Sequence, residues 1–324
     1  MSVYTNKHNV PLALAVWLLA DNYDYQQRPN YISVTSLMRP IRQLVLSTRI
    51  INSDQEIDLA DLASRAMGNA LHDSIEKAWV NNHEKSLKLL GYPDDVIKRI
   101  LVNPTPEQLA RTKEPIAIYL EQRSYKKVGK WEVGGKFDMV ADGVVHDNKS
   151  TTAYAWLKGG KDGDYALQGS LYRWLNPDKI LEDFIRINFI FTDWSAADAR
   201  SNPDYPQAKT LAKEIPLMSI EETQAWVENK LRLIDKYWDA PDAQIPECTD
   251  EELWRGPTVH KYYANAAKTD GRSTKNFDSA AEALKFWKQD KGGAGVVIPI
   301  VGEPKRCNYC DAVGHCQQAR KYFS

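Results

Sequence analysis

Asp138, Asp147 and Lys149 are the residues whose types and spacing could do chemistry. Between them, Asp142-Gly143 sits amid alternating apolar residues, the pair favoured by a two-residue hairpin because both turn positions take positive φ. Counting outward from that turn, Asp138 falls directly opposite Asp147, where paired Cβ atoms lie roughly 4.5–5.5 Å apart. Like charges that close repel unless a cation compensates them. Lys149, two residues beyond Asp147, shares its face, with Val140 and Val145 nearer the turn. Hard oxygen ligands suit Mg²⁺ or Mn²⁺, which can activate water and neutralise charge on a phosphate in transfer, while the lysine orients the nucleophile or stabilises that charge. This is equipment for phosphodiester hydrolysis.

The elements that must position this hairpin are legible as patterns. Residues 55–92 carry helical periodicity through Ile57, Leu59, Leu62, Ala66, Leu71, Ile75 and Trp79, and Gly91-Tyr92-Pro93 stops the run. The texture then becomes β-prone over 116–120, 131–140 and 144–149, punctuated by Gly134-Gly135 and Asp142-Gly143, which predicts an antiparallel meander. Tyr154, Trp156 and Lys158 alternate as one face of a strand continuing beyond Lys149. A helix follows over 165–175, stopped by Asn176-Pro177, and 185–192 alternates as a strand. Residues 219–238 are amphipathic through Ile220, Trp226, Leu231 and Ile234, with Glu221 and Glu222 suited to a first turn. Beyond Pro241 the pattern is irregular, and the glycines of 291–295 read as a loop, without the strand and helix a phosphate cradle needs.

The 324 residues suffice for a sizeable core. One compact unit is expected, built from a helical part (1–110), a core (111–240) and a C-terminal extension (241–324). A net charge of -1 means that any nucleic-acid contact must come from a local patch. The apolar stretch 11–20 is about half the ~20 residues a spanning helix needs, and no secretory leader frames it, so no membrane contact and a cytoplasmic location are expected. Four cysteines, three of them near the C-terminus, do not resemble a secreted disulfide framework. Cys307, Cys310 and Cys316 follow C-x2-C-x5-C spacing, with Cys248 well upstream, and four thiolates suit [4Fe-4S] or Zn²⁺. His315, beside Cys316, could stand in for one ligand. Either metal would clip the C-terminal tail onto the rest.

Gly135 to Asp138 (G-x-F-D) followed by Asp147 to Lys149 (D-x-K) resembles the PD-(D/E)xK nuclease core. Upstream, Gly68, His72 and Glu76 form G-x3-H-x3-E, and downstream Gln168 and Tyr172 form Q-x3-Y, both similar to helix motifs of the RecB-like branch. The resemblance spans roughly residues 60–195. It implies a restriction-endonuclease-like α/β (α+β) fold, a mixed sheet flanked by helices, and nuclease activity on DNA. It also implies His72, Asp138 and Asp147 as metal ligands, Lys149 in catalysis, and Gln168 with Tyr172 supporting the site and contacting DNA; Glu76 could approach a second ion. No proline precedes Asp138, where the family name would place one. One distant cysteine plus a cluster of three is similar to the iron-sulfur staple of AddB and CRISPR-associated RecB-like nucleases, although Cys248 follows Tyr172 here instead of preceding the nuclease motifs.

Arg123, Lys126, Lys127 and Lys130, interleaved with Tyr125 and Trp131, could track a phosphate backbone and stack on bases; Tyr154, Trp156 and Lys158 could do the same near the site entrance. The leading expectation is an exonuclease of recombination, repair or phage DNA metabolism. A structure-specific or restriction-type endonuclease and a non-catalytic DNA-binding scaffold are the alternatives. No Walker motif is present, so unwinding would fall to a helicase or recombination partner.

Overall fold

The computed structural model describes residues 3–21, 25–26, 28–50 and 56–323. In chain order it has β1 (Val3–Thr5), α1 (Leu12–Leu19), β2 (Tyr31–Ser33), α2 (Val34–Leu37), α3 (Ile41–Ser47), β3 (Glu56–Asp58), α4 (Ala63–Leu89), α5 (Asp94–Ile97), β4 (Ile100–Val102) and α6 (Pro106–Arg111). There follow β5 (Ile116–Leu120), β6 (Arg123–Val128), β7 (Trp131–Lys136), β8 (Met139–Ala141), β9 (Val144–Thr151), α7 (Ala153–Lys158), α8 (Asp162–Leu175) and β10 (Phe184–Phe191). The chain closes with α9 (Ala196–Ser201), β11 (Thr210–Pro216), α10 (Ile220–Tyr237), β12 (Val259–Tyr263), β13 (Lys275–Phe277), α11 (Ala280–Gln289), β14 (Val296–Ile300) and α12 (Gln317–Arg320). No helix among the described residues is long and apolar enough to cross a membrane.

The fold is mixed α+β and divides into two compact units, 1–39 with 51–232 and 40–50 with 233–324. The expected parts 1–110 and 111–240 thus fall largely in the first unit, the expected extension falls in the second, and α10 runs from one into the other. The first unit is built on a six-stranded sheet of order β11-β10-β9-β8-β5-β4. β10 lies parallel to β9, which is antiparallel to β8, as β8 is to β5. β10 alternates cleanly, with Ile185, Ile187, Phe189 and Phe191 buried on one face. α8 packs across β9, β10 and β11.

Three expectations need correction. The 55–92 run opens outside the described residues, Ile57 lies in β3, and Leu59–Leu62 form a 3-10 turn capped by Asp58 before α4 begins. The meander is antiparallel but shared between two sheets: β6 and β7 join β2 in a separate three-stranded sheet, while β5, β8 and β9 stay in the large one. The ladder does not lose register at the division, since Leu120 opposes Met139 and Arg123 opposes Lys136. One long ribbon bends at Glu121-Gln122 and Phe137-Asp138, where Phe137 is fully buried and Glu121 takes φ 51°. Finally, residues 153–158 are helical: Thr152 caps the turn by accepting from Ala155 N at 3.1 Å, and Gly159 and Gly160 end it at positive φ. The alternation of Tyr154, Trp156 and Lys158 therefore does not place them on one face of a strand.

The irregular pattern beyond Pro241 also resolves into structure. In the second unit β13, β12 and β14 form a sheet on which α11 packs, with Phe286 against Tyr262 and Phe277 at ring distances of 5.3 Å each. The segment 291–293 is a 3-10 turn with Gly292 and Gly293 at positive φ.

Candidate active site

The hairpin turn is as its residues dictate: Asp142 and Gly143 take φ 48° and 81°, and Val140 pairs with Val145. Met139 opposes His146, so Asp138 reaches the rung facing Asp147 just outside β8. There one Asp138 carboxylate oxygen accepts from Asn148 N at 3.0 Å. On β9 the chain alternates about this face, and Asp147, 1% exposed, is its deepest charge.

Lys149 Nζ lies 2.6 Å from Asp147 Oδ2. That oxygen has no hydrogen-bond partner of good geometry, although it is buried. The other carboxylate oxygen, Oδ1, accepts from Gln168 Nε2 at 3.3 Å, and the same amide donates to the Tyr172 hydroxyl at 3.0 Å. Gln168 and Tyr172 thus act from one face of α8, as their i, i+4 spacing requires. α8 can approach this closely because Gly169 has no side chain: a Cβ there would meet Leu217 Cδ2 at 2.7 Å and Ile185 Cβ at 2.9 Å. Burial pushes the Asp147 pKa up to about 6, against the pull of Lys149. Burial also opposes the Lys149 charge, but the Asp147 carboxylate outweighs it and holds the ammonium pKa above its usual value.

From α4, His72 points its Nδ1 at Asp138 Oδ2, 3.2 Å away, and at Glu121 Oε1, 4.0 Å away. The hydrogen bond to Asp138 raises the His72 pKa. Among the described residues, His72, Glu121 and Asp138 are the one set of three His, Cys, Asp or Glu residues with ligand atoms all within 4.8 Å of one another. Asp147 stands beside this set instead of within it, held by Lys149 and Gln168. Glu76, one turn beyond His72, is also outside it. Burial raises the Glu121 pKa, partly offset by Lys136 at 2.5 Å.

Glu121 escaped the sequence reading, yet a signal for it exists. Gly129-Lys130 is a two-residue hairpin loop, with Val128 opposite Trp131 and Gly129 at φ 57°. Counting outward from it places Glu121 opposite Asp138, and Glu121 N donates to Asp138 O at 3.0 Å.

The basic residues do not share one face. Lys126 lies 4.4 Å over the Trp174 ring of α8, whereas Arg123, Tyr125 and Lys127 alternate onto the opposite side of β6. There the Arg123 guanidinium reaches toward the Tyr31 hydroxyl, and Tyr125 meets Tyr31 edge-on. Lys130, in the turn, lies 5.7 Å from the Trp131 ring.

In the second unit Cys248, Cys307, Cys310 and Cys316 are unbridged and line one cavity. His315 is exposed and does not line it. Burial pushes the Cys248 thiol up to about 12 and raises Cys307 and Cys310, so metal coordination is what would keep these sulfurs as thiolates. Arg42, 4% exposed, donates Nε to Cys316 Sγ at 3.1 Å and pairs with Asp242. The Gln318 amide grips the Cys248 peptide from both sides, each bond 2.8 Å. Gln43 Oε1, buried in the same lining, has no partner.

No protein-family model matches the chain, and no curated protein matches it. Among solved structures, the crystal structure of SSO0001 is similar over 71% of this chain and 86% of its own, at 14% identity and a TM-score of 0.42. At that distance it assigns neither fold nor function.

Proposed function

We propose that this chain is a divalent-metal-dependent deoxyribonuclease of the RecB-like PD-(D/E)xK kind that works at DNA ends. The observation that carries the reading is the convergence of His72 from α4, Glu121 and Asp138 from the ribbon bend, Asp147 and Lys149 from β9 and Gln168 from α8 into one polar cluster. The order α4, β5, β8, β9, α8, β10, with β10 parallel to β9, supports a restriction-endonuclease-like core.

The donor set fits a hard cation: two carboxylates and an imidazole within reach of one point, plus a buried Asp147 oxygen with no well-aligned donor. His72, Glu121 and Asp138 would hold Mg²⁺ or Mn²⁺, with Asp147 completing the site. When bound, the ion would supply an activated water and charge neutralisation at the phosphate. Lys149, kept protonated by Asp147 and with its side chain partly exposed, presents an ammonium that donates to a phosphate oxygen or to the attacking water. Gln168, steadied by Tyr172, fixes the Asp147 carboxylate so that Lys149 stays aimed outward.

For the second unit we propose a [4Fe-4S] cluster on Cys248, Cys307, Cys310 and Cys316. All four sulfurs line one cavity, which supports a single metal centre held by the four of them, with Zn²⁺ as the alternative to the cluster.

The test is cleavage of end-labelled and circular single- and double-stranded DNA with Mg²⁺ or Mn²⁺, comparing wild type with Lys149→Ala. Cutting of linear DNA alone, abolished by the substitution, is expected. Cutting of circles would make the enzyme an endonuclease, and activity unchanged in Lys149→Ala would overturn the site.

A further inference from the structure

Beside the charged cluster the first unit has a cavity of about 260 Å³, open to solvent and a little below the ~300–1,000 Å³ span of drug-sized ligand sites. Its wall is aromatic: Trp156 of α7 meets Phe189 edge-on at 5.0 Å, and Tyr165 of α8 meets the same ring at 6.1 Å. Its rim carries Lys161, Lys213 and Asp162, a net positive set in which Lys213 lies 5.7 Å from the Trp156 ring and pairs with Asp162 at 2.6 Å.

The cavity adjoins the proposed chemistry. Phe189 is the register partner of Lys149 in the parallel β9–β10 pair, and Tyr165 is one turn before Gln168, close enough to Lys149 for each to act on the other's charge. Trp156 and Tyr165 are only partly buried, so their rings are available from the open side.

We propose that this cavity receives the base of the nucleotide flanking the scissile phosphate in single-stranded DNA, stacked against Trp156 and Tyr165, with Lys161 and Lys213 holding the adjoining phosphate. The proposal rests on the nuclease reading and adds a subsite to it. Aromatic faces stack on any base, so the subsite tolerates sequence while requiring that a base be present. An unpaired base is needed, because a paired one is already stacked inside the duplex.

The experiment is a binding cycle in EDTA, which separates binding from cutting. A short fluorescent single-stranded oligonucleotide, intact or carrying one abasic residue moved position by position, is titrated with wild type, Trp156→Phe and Trp156→Leu. Trp156→Leu keeps an apolar packing group against Phe189, and circular dichroism checks that each variant is folded. At one position the abasic residue should weaken wild-type binding about tenfold, the scale of one base–aromatic stack. Trp156→Leu should weaken the intact oligonucleotide to a similar extent and show no further loss with the abasic one, while Trp156→Phe retains most of the affinity. Equal abasic losses in wild type and Trp156→Leu at every position, or no binding of the oligonucleotide, would overturn the proposal. Failure of the nuclease reading is separately visible: DNA cutting insensitive to Lys149→Ala sinks that reading whatever the binding cycle gives.

Discussion

Gly68 and Gly169 both lie inside helices, α4 and α8, and replacing each by alanine should move stability in opposite directions. Helix propensity favours alanine over glycine by about 1 kcal/mol at either position. At Gly68 a Cβ meets nothing within 4 Å, so Gly68→Ala realises that gain. In a unit of roughly 220 residues each kcal/mol moves Tm by about 2–4 °C, so a rise of that size is expected. At Gly169 the new Cβ would stand 2.9 Å from Ile185 Cβ and 2.7 Å from Leu217 Cδ2. Leu217 can turn its end away, but Ile185 Cβ is fixed to a fully buried position of β10. Overpacking of this sort costs about 1–3 kcal/mol. The net for Gly169→Ala is then a loss of about 0–2 kcal/mol, and its Tm should fall below that of Gly68→Ala by about 2–12 °C. Scanning calorimetry of the two variants against wild type reads the difference directly. Because Gly169 adjoins Gln168, lifting α8 lengthens the 3.3 Å bond to Asp147, so Gly169→Ala should also lose cleavage while Gly68→Ala keeps it. If both variants gain the same Tm, α8 is not pressed onto β10 and the account of how Gln168 reaches Asp147 is wrong.

Glu121→Gln should weaken Mn²⁺ binding by about tenfold or more in calorimetric titration, and Glu76→Gln should leave it unchanged; equal effects would remove Glu121 from the ligand set. Burial raises the Asp147 pKa, so the metal-free folded protein binds a proton there that the unfolded chain releases above about pH 4. That group's contribution is most favourable at low pH and is lost as pH rises through about 6. Urea unfolding in EDTA should therefore show wild type losing stability relative to Asp147→Asn between about pH 4 and pH 7, and a pH-independent difference would contradict it. Gln318→Ala, which keeps all four cysteines, should lose metal to a chelator faster than wild type by elemental analysis, because it frees both sides of the Cys248 peptide; equal rates would show that the clamp plays no part in retention.

Where local chemistry decided the structure, it was legible. Asp142-Gly143 sets its own turn, the turn sets the register, and the register puts Asp138 across from Asp147 without help from distant residues. The alternation of β10 was equally plain, because one face is buried and a one-residue slip would expose Ile185 and Ile187. The reading of 153–158 as strand failed because three alternating residues are too few to distinguish periods, while the local signals, Thr152 as cap and Gly159-Gly160 as stop, pointed to a helix. The sheet of the second unit was hidden for a related reason: its strands are three to five residues long, and no short turn joins them to mark the pairing.

Glu121 shows what separates the legible part of the site from the rest. Its role needs two hairpins read together, one from Asp142-Gly143 and one from Gly129-Lys130, and the second keeps its register through a bend between two sheets. At that bend local rules give way: a non-glycine residue takes φ 51°, and a carboxylate is brought beside Asp138 with Asp147 on the next strand. Lys136, Lys149 and His72 offset part of the repulsion, and Asp147 Oδ2 is still left without a well-aligned donor. A sheet chosen for stability alone would fill these positions with apolar side chains of similar volume, which is neutral or better for folding. Segments as far apart in sequence as His72 and Lys149 instead converge on a charge arrangement that opposes folding and suits a cation, and such conflicts between local preference and global structure concentrate where a protein acts on something else.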